Sequence, residues 1–230
     1  LQGVDLVLLH SPHCWPGSCP ESPTPWQLAW RELELLYKEG AVRAIGVSNF
    51  SESLLRELLS TAEVMPAVVQ NWMDPFNQDK AVRSVCAQNE IAYVAYSTLG
   101  GQWTYRSTPS SPNPVGTDAT LRNIAEAHGT SPQMVTLSWA LQSGVVVLPR
   151  SSSQKHIREN LQSFLVPKDD SDGRLGGEEG LGADRKRIYP EGTCGTVLPG
   201  DEGAGAVRVA TFLTDREIEA IDALDGTIGS

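Results

Sequence analysis

The sequence predicts an α/β fold with a parallel sheet, on three observations. Apolar runs of strand length alternate with longer segments of helical period, the signature of successive βα units. The runs are apolar almost throughout, as strands covered on both faces must be. Each run also gives way to polar residues at its carboxyl end, where the sites of parallel α/β folds gather.

The chain has 230 residues, 40% hydrophobic and 20% charged, which suits one globular core and is too apolar for an unfolded chain. Its 18 basic and 28 acidic side chains give a net charge of −10, a balance that repels nucleic-acid phosphates and anionic membrane surfaces. No run approaches the roughly 20 apolar residues that cross a bilayer. The stretch Leu1-Gln2-Gly3-Val4-Asp5 lacks the pattern of a signal peptide. These features predict a cytoplasmic protein with neither a nucleic-acid nor a membrane partner. Cys14, Cys19, Cys86 and Cys194 are too scattered for a disulfide framework and predict a reducing compartment. Cys14 and Cys19 lie beside His13, but no second pair with zinc-ligand spacing follows.

The strands read as Val4 to Leu9, Ala41 to Val47, Ala67 to Val69, Ile91 to Tyr96 and Val145 to Leu148. Trp26 to Lys38 is a helix with an apolar stripe of Leu28, Leu33, Leu35 and Leu36, closed by Gly40. Glu52 to Ala62 follows with Ser51 as its N-cap, then Lys80 to Gln88. Asp118 to His128 and Pro132 to Leu141 form a helix pair punctuated by Gly129, the second opening on its proline. Gln154 to Phe164 carries Ile157, Leu161 and Phe164 on one face. The last helix opens at Leu213-Thr214-Asp215-Arg216-Glu217, a capping box ahead of Ile218, Ile221 and Leu224.

Two segments break the alternation. Gly100 to Gly116 is a Ser-, Pro- and Gly-rich loop of a length that usually serves a site. Residues 167–206 form a glycine-rich acidic insertion, expected to be disordered, in which Pro167 to Gly205 holds ten of the chain's 21 glycines. Residues 1–166 and 207–230 are then parts of one domain. Five parallel strands fit either an open doubly wound sheet or most of a (β/α)8 barrel. No GxGxxG follows the first strand, which weighs against the doubly wound dinucleotide fold.

The strand ends carry His10-Ser11-Pro12, Ser48-Asn49-Phe50, Gln70-Asn71, Tyr96-Ser97-Thr98-Leu99-Gly100 and Pro149-Arg150-Ser151-Ser152-Ser153. A scaffold that needed only packing would not put a hydrogen-bonding group at every strand end, because buried polar groups without partners cost a few kcal/mol each. A polar ligand at one rim explains the pattern.

Val4 to Pro12, Glu39 to Phe50, and Leu148-Pro149-Arg150-Ser151 with Ile157-Arg158-Glu159-Asn160 resemble three signature stretches of the aldo-keto reductase family, in the same order and spacing. The resemblance implies a partial (β/α)8 TIM barrel, its five strands being the fourth to eighth of eight. It implies NADP(H) as cofactor and a small-molecule aldehyde or ketone as substrate, reduced to the alcohol by hydride transfer. His10 matches the catalytic histidine that hydrogen-bonds the substrate carbonyl oxygen. Ser48, Asn49 and Gln70 match the positions that hold the nicotinamide carboxamide, and Tyr96 matches the aromatic stacked on that ring. Ser97 and Leu99 match positions beside the pyrophosphate, Arg150 and Ser151 the adenosine 2′-phosphate pair, and Glu159 and Asn160 the adenine side. His156 stands where the family often has arginine, which weakens the implied preference for NADP over NAD. The plainer readings are His10 as a strand cap, Tyr96 as a core tyrosine and Arg158 as a solvated helix charge.

The family's proton-donating tyrosine, with its lysine and aspartate, belongs to the first half of the barrel. None of Tyr37, Tyr93, Tyr96, Tyr105 and Tyr189 sits in a matching context. The reductase activity is therefore expected of a longer parent protein. A noncatalytic nucleotide-binding or regulatory module is the alternative, and an unrelated barrel acting on phosphorylated substrates ranks last.

Overall fold

The computed structural model describes residues 3–14, 25–106, 112–162 and 213–228. Five strands pair in parallel and in sequence order: β1 (Val4–Leu9), β2 (Val42–Ser48), β3 (Val68–Trp72), β4 (Ala92–Tyr96) and β5 (Val146–Val147). The connections carry α1 (Trp26–Lys38), α2 (Glu52–Thr61) and α3 (Lys80–Gln88), then α4 (Trp103–Arg106), α5 (Pro114–Thr117), α6 (Ala119–Ala127) and α7 (Pro132–Gln142) between β4 and β5. After β5 come α8 (Gln154–Gln162) and α9 (Asp215–Asp222). The glycine-rich insertion expected at 167–206 lies outside the described residues.

The helices cover one face of the sheet. Ile45, Val47, Val69, Tyr93, Ala95 and Val147 point into that buried layer together with Leu55, Leu58, Val85 and Trp139 from the helices. The intervening strand residues form the other face, with Ser48 paired to Gln70 and Trp72 paired to Tyr96 in register. Gly46 belongs to this second face, where a Cβ would stand 2.4 Å from the carbonyl oxygen of Val68. Only glycine lets β2 lie this close to β3 there.

Several local expectations change. Val4 is 51% and Leu6 40% exposed, because β1 is an edge strand and no strand stands opposite its open face among the described residues. α1 does not bury its leucine stripe. Trp26, Trp30 and Glu34 are the residues it buries, and Leu28, Leu35 and Leu36 are exposed. The large indole surfaces win the core, and Trp26 packs edge-on against Phe50 at 5.2 Å between ring centroids. The Glu34 carboxylate is tolerated there because it accepts from Trp30 Nε1 and from the Glu63 and Val64 amides at 2.8–3.0 Å. β3 runs on through Gln70, Asn71 and Trp72, since the polar side chains do not interrupt the ladder to β4. Two short helices, α4 and α5, stand within the segment expected to be a plain loop. Cys14 is disulfide-bonded rather than a reduced thiol, and Cys86 is a free, buried thiol. Burial pushes the Cys86 thiol up to about 12. Among the described residues no helix is long and apolar enough to cross a membrane.

The last helix is fastened by polar bonds as well as by Ile218 and Ile221. Trp139 Nε1 donates to Asp222 Oδ1 at 2.8 Å, and Gln142 bonds both the N–H and the C=O of Leu213. Gln78 donates through its side chain to the Ile221 carbonyl and through its backbone to Asp225. Thr214 and Glu217 form the expected capping box, and Glu217 also meets His128 Nε2 of α6 at 2.7 Å. Burial alone would raise the Glu217 carboxyl, but the Thr214 amide and hydroxyl and His128 together hold it below its ordinary 4.5. A carboxyl lowered in the folded state stabilises above its unfolded pKa, and that contribution fades as pH falls through the folded value. Thr214→Ala is expected to cost about 1 kcal/mol in urea unfolding. Glu217→Gln should destabilise at neutral pH and approach wild-type stability in acid.

Candidate functional site

Because the strands are parallel, their carboxyl ends share one rim, and the polar residues read there in the sequence are brought together by it. His10, Ser48, Asn49, Gln70, Tyr96 and Gln102 line a concavity of about 330 Å³. None of these residues is a carboxylate, lysine or arginine. The lining is amide, hydroxyl, phenol and imidazole.

The cluster is braced from within. Asn49 has φ +61°, a left-handed conformation that asparagine tolerates better than most residues. Its Nδ2 donates to the His10 carbonyl at 2.8 Å and to Ser48 Oγ at 3.1 Å, and its Oδ1 accepts the Tyr96 hydroxyl at 2.5 Å. Ser48 Oγ donates to the Gln70 carbonyl at 2.6 Å, and the Asn49 amide donates to the same oxygen at 3.1 Å. The Gln70 side-chain amide, half-buried in the wall, makes no hydrogen bond among the described residues. Of the three residues expected to meet a carboxamide, Asn49 is already committed to its neighbours, and Gln70 keeps both a donor and an acceptor for a ligand.

Asn71 holds the turn that carries Asn49. It points to the helix side of β3, where its amide accepts from the Phe50 N–H at 3.2 Å and donates to the Phe50 carbonyl at 2.8 Å. A second bond runs from Asn71 Nδ2 to Asp79 at 2.9 Å, and Tyr93 donates to the same carboxylate at 2.7 Å. Burial pushes the Asp79 carboxyl up, with the Tyr93 hydroxyl, the Asn71 amide and Arg83 pulling the other way. Burial and the neighbouring Asp79 charge push the Tyr93 phenol up, so it stays protonated and donating.

The remaining expected residues lie further along the rim. Ser97, at φ +54°, accepts from Gln102 Nε2 at 3.3 Å, and the Leu99 carbonyl accepts from Asn113 at 2.8 Å. Arg150 stands exposed just past β5, and Ser151 Oγ accepts from the Ser153 amide at 3.1 Å. Glu159 on α8 pairs with Lys155 at 3.7 Å, one turn away, and Asn160 beside it is half-buried. Arg150, Ser151, Glu159 and Asn160 are not part of the concavity wall. Gln102 and Asn71 are additions to the expected set. Asn71 stood beside Gln70 in a strand-end motif, and Gln102 lay in the polar loop after β4 with nothing in its spacing to single it out.

The fold and this rim define a protein of the (β/α) barrel class with its site at the carboxyl ends of the strands. Residues 1–174 match the family model of the aldo/keto reductase family, and the chain belongs to that family. It is 39% identical over 165 residues to glyoxal reductase of Bacillus subtilis (strain 168), covering 71% of this chain and 52% of that enzyme. It is 32% identical over 196 residues to 9,11-endoperoxide prostaglandin H2 reductase of Trypanosoma cruzi, covering 84% and 63%. Among solved structures it resembles an aldo-keto reductase of the silkworm, Bombyx mori, with 30% identity and a TM-score of 0.62 over 74% of this chain and 52% of that one. A structure of that reductase complexed with NADPH aligns over the same shares with 30% identity and a TM-score of 0.64. The chain spans about half the length of several curated relatives it matches.

Asn71→Ala would leave the buried N–H and C=O of Phe50 unpaired. It is expected to lower stability by about 2–4 kcal/mol in urea unfolding, given roughly 1–3 kcal/mol for each orphaned group.

Proposed function

We propose that this chain carries the nicotinamide and phosphate subsites of an NADP(H)-dependent reductase of aldehydes and ketones. The observation that carries the reading is the Gln70 amide, unengaged among the described residues, in a polar concavity between Ser48 and Tyr96. A carboxamide needs one acceptor and one donor from uncharged groups, and Gln70 offers both. The Tyr96 hydroxyl is held by Asn49, which fixes the phenol whose ring we assign to stacking on the nicotinamide. The concavity suits one ring rather than a whole dinucleotide, so the rest of the cofactor would follow the rim. Ser97 and Leu99 are assigned to the pyrophosphate, Arg150 and Ser151 to the 2′-phosphate, and Glu159 and Asn160 to the adenine side. Arg150 is the cation of that set, and a charge-assisted bond to phosphate is about twice as strong as a neutral one.

The cofactor, when bound, supplies the hydride. His10 is assigned to the substrate carbonyl oxygen, where an imidazole N–H stabilises the charge that develops as the carbon is attacked. Asn49 holds the His10 carbonyl and so fixes the backbone from which the imidazole projects. Proton donation is assigned to no described residue of the concavity wall, where Tyr96 donates to Asn49. The second reading, a noncatalytic nucleotide-binding module, shares the cofactor site and differs in turnover. We assign residues 1–166 and 207–230 to one domain interrupted by 167–206.

Gln70→Leu is expected to weaken NADPH binding by about 1–3 kcal/mol, roughly 5- to 150-fold in Kd, in a fluorescence titration of NADPH. Arg150→Ala should weaken NADPH and leave NADH unchanged. Equal NADPH affinity in wild type and Gln70→Leu contradicts the assignment of the concavity. Oxidation of bound NADPH by added aldehyde separates the reductase from the noncatalytic module.

A further inference from the structure

Asp74, just past β3, is a carboxylate with no solvent exposure and no Lys, Arg or His partner among the described residues. Four N–H groups satisfy it. Oδ1 accepts from the Phe76 and Asn77 amides at 2.9 and 3.2 Å. Oδ2 accepts from two indoles, Trp72 Nε1 at 2.9 Å and Trp103 Nε1 at 2.8 Å. A buried anion is costly, and burial duly pushes this carboxyl up despite its donors. Packing alone would be served by an apolar residue. A carboxylate is needed where several donors from separate segments must meet at one point, since its two oxygens accept on all sides and donate nothing.

The segments that meet here are the connections after β3 and after β4. Trp72 and Trp103 stack edge-on at 5.3 Å, and Phe76 packs against Trp103 at 6.4 Å. Trp103 opens α4, directly after Gln102, whose side chain lines the concavity and donates to Ser97 Oγ. Among the described residues the segment's own backbone bonds are Gly100 N–H to the Ser97 carbonyl and Trp103 N–H to the Gly100 carbonyl, with Asn113 holding the Leu99 carbonyl ahead of it. The Trp103 indole is what ties it to the end of β3.

We propose that Asp74 is a positioning residue that ties the Trp103 segment to the end of β3 and thereby sets Gln102 in the wall of the concavity. The inference rests on the nucleotide-binding reading for its second readout only. Asp74→Asn keeps the volume, but in either orientation of its amide two of the four donors face an NH2 group. Trp103→Phe keeps a six-membered aromatic ring and removes the N–H together with the rest of the indole, and serves where Asp74→Asn folds poorly.

The test is amide hydrogen exchange of the full chain, read over residues 99–104 and over β2 and β3, together with NADPH titration. Both variants are expected to exchange roughly tenfold faster at Gly100 and Trp103, the size of one hydrogen bond to a charged acceptor, with β2 and β3 unchanged. NADPH Kd should rise in the same two variants, and the double variant should add little to either single one. Unchanged exchange at 99–104, or faster exchange spread evenly over the whole chain, overturns the proposal. Faster local exchange with wild-type NADPH affinity overturns the link to the concavity. Failure of the wild-type chain to bind NADPH sinks the proposed function instead, and the exchange pattern still decides whether Asp74 holds the segment.

Discussion

Parallel pairing of five strands in sequence order is the constraint on which the rest of the molecule depends. Antiparallel neighbours would send alternate strand ends to opposite rims, and His10, Ser48, Gln70 and Tyr96 could not share one concavity. With all strands running the same way, each βα junction delivers its first polar side chains to the same edge. The register then decides which of them touch. Ser48 is opposite Gln70, so a 2.6 Å bond joins the ends of β2 and β3, and Trp72 is opposite Tyr96 at the ends of β3 and β4.

Strand alternation divides the work between two faces. Gln70 and Asn71 are consecutive, and the pleat sends them to opposite sides. Gln70 enters the concavity, and Asn71 enters the helix layer, where it bonds the Phe50 backbone. The turn carrying Asn49 in its left-handed conformation is thus fixed from behind by a residue that never reaches the ligand side. Asp74 has the same relation to Trp103 and Gln102 on the neighbouring connection. In both places a buried polar side chain with every bond satisfied fixes the geometry of a rim residue, as fully satisfied buried networks rigidify a core.

Much of this was legible in the sequence, because hydrophobic period and caps are local properties. The four long strands, the helix pair ahead of Val146 and the Thr214–Glu217 capping box follow from patterns within a dozen residues. What the sequence did not reveal is decided by partners far away in the chain. The leucines of α1 have the period of a buried stripe, yet Trp26 and Trp30 take the core because Phe50 stands opposite them. β3 continues through Gln70 and Asn71 because β4 supplies its ladder bonds and Phe50 satisfies the amide. The site divides in the same way. His10, Ser48, Asn49, Gln70 and Tyr96 were legible as strand ends, whereas Gln102 joins them through the fold of a connection and Asp74 acts through two indoles 31 residues apart in the sequence, Trp72 and Trp103.

We propose that the amide cluster at the ends of β2, β3 and β4 receives the nicotinamide end of NADP(H). The decisive experiment is a crystal structure of the chain grown with NADPH. The expected result is the carboxamide bonded to the Gln70 side chain, the ring against Tyr96, and the phosphates leading along the rim toward Arg150. A nucleotide bound elsewhere, with the Gln70 amide still unengaged, contradicts the claim.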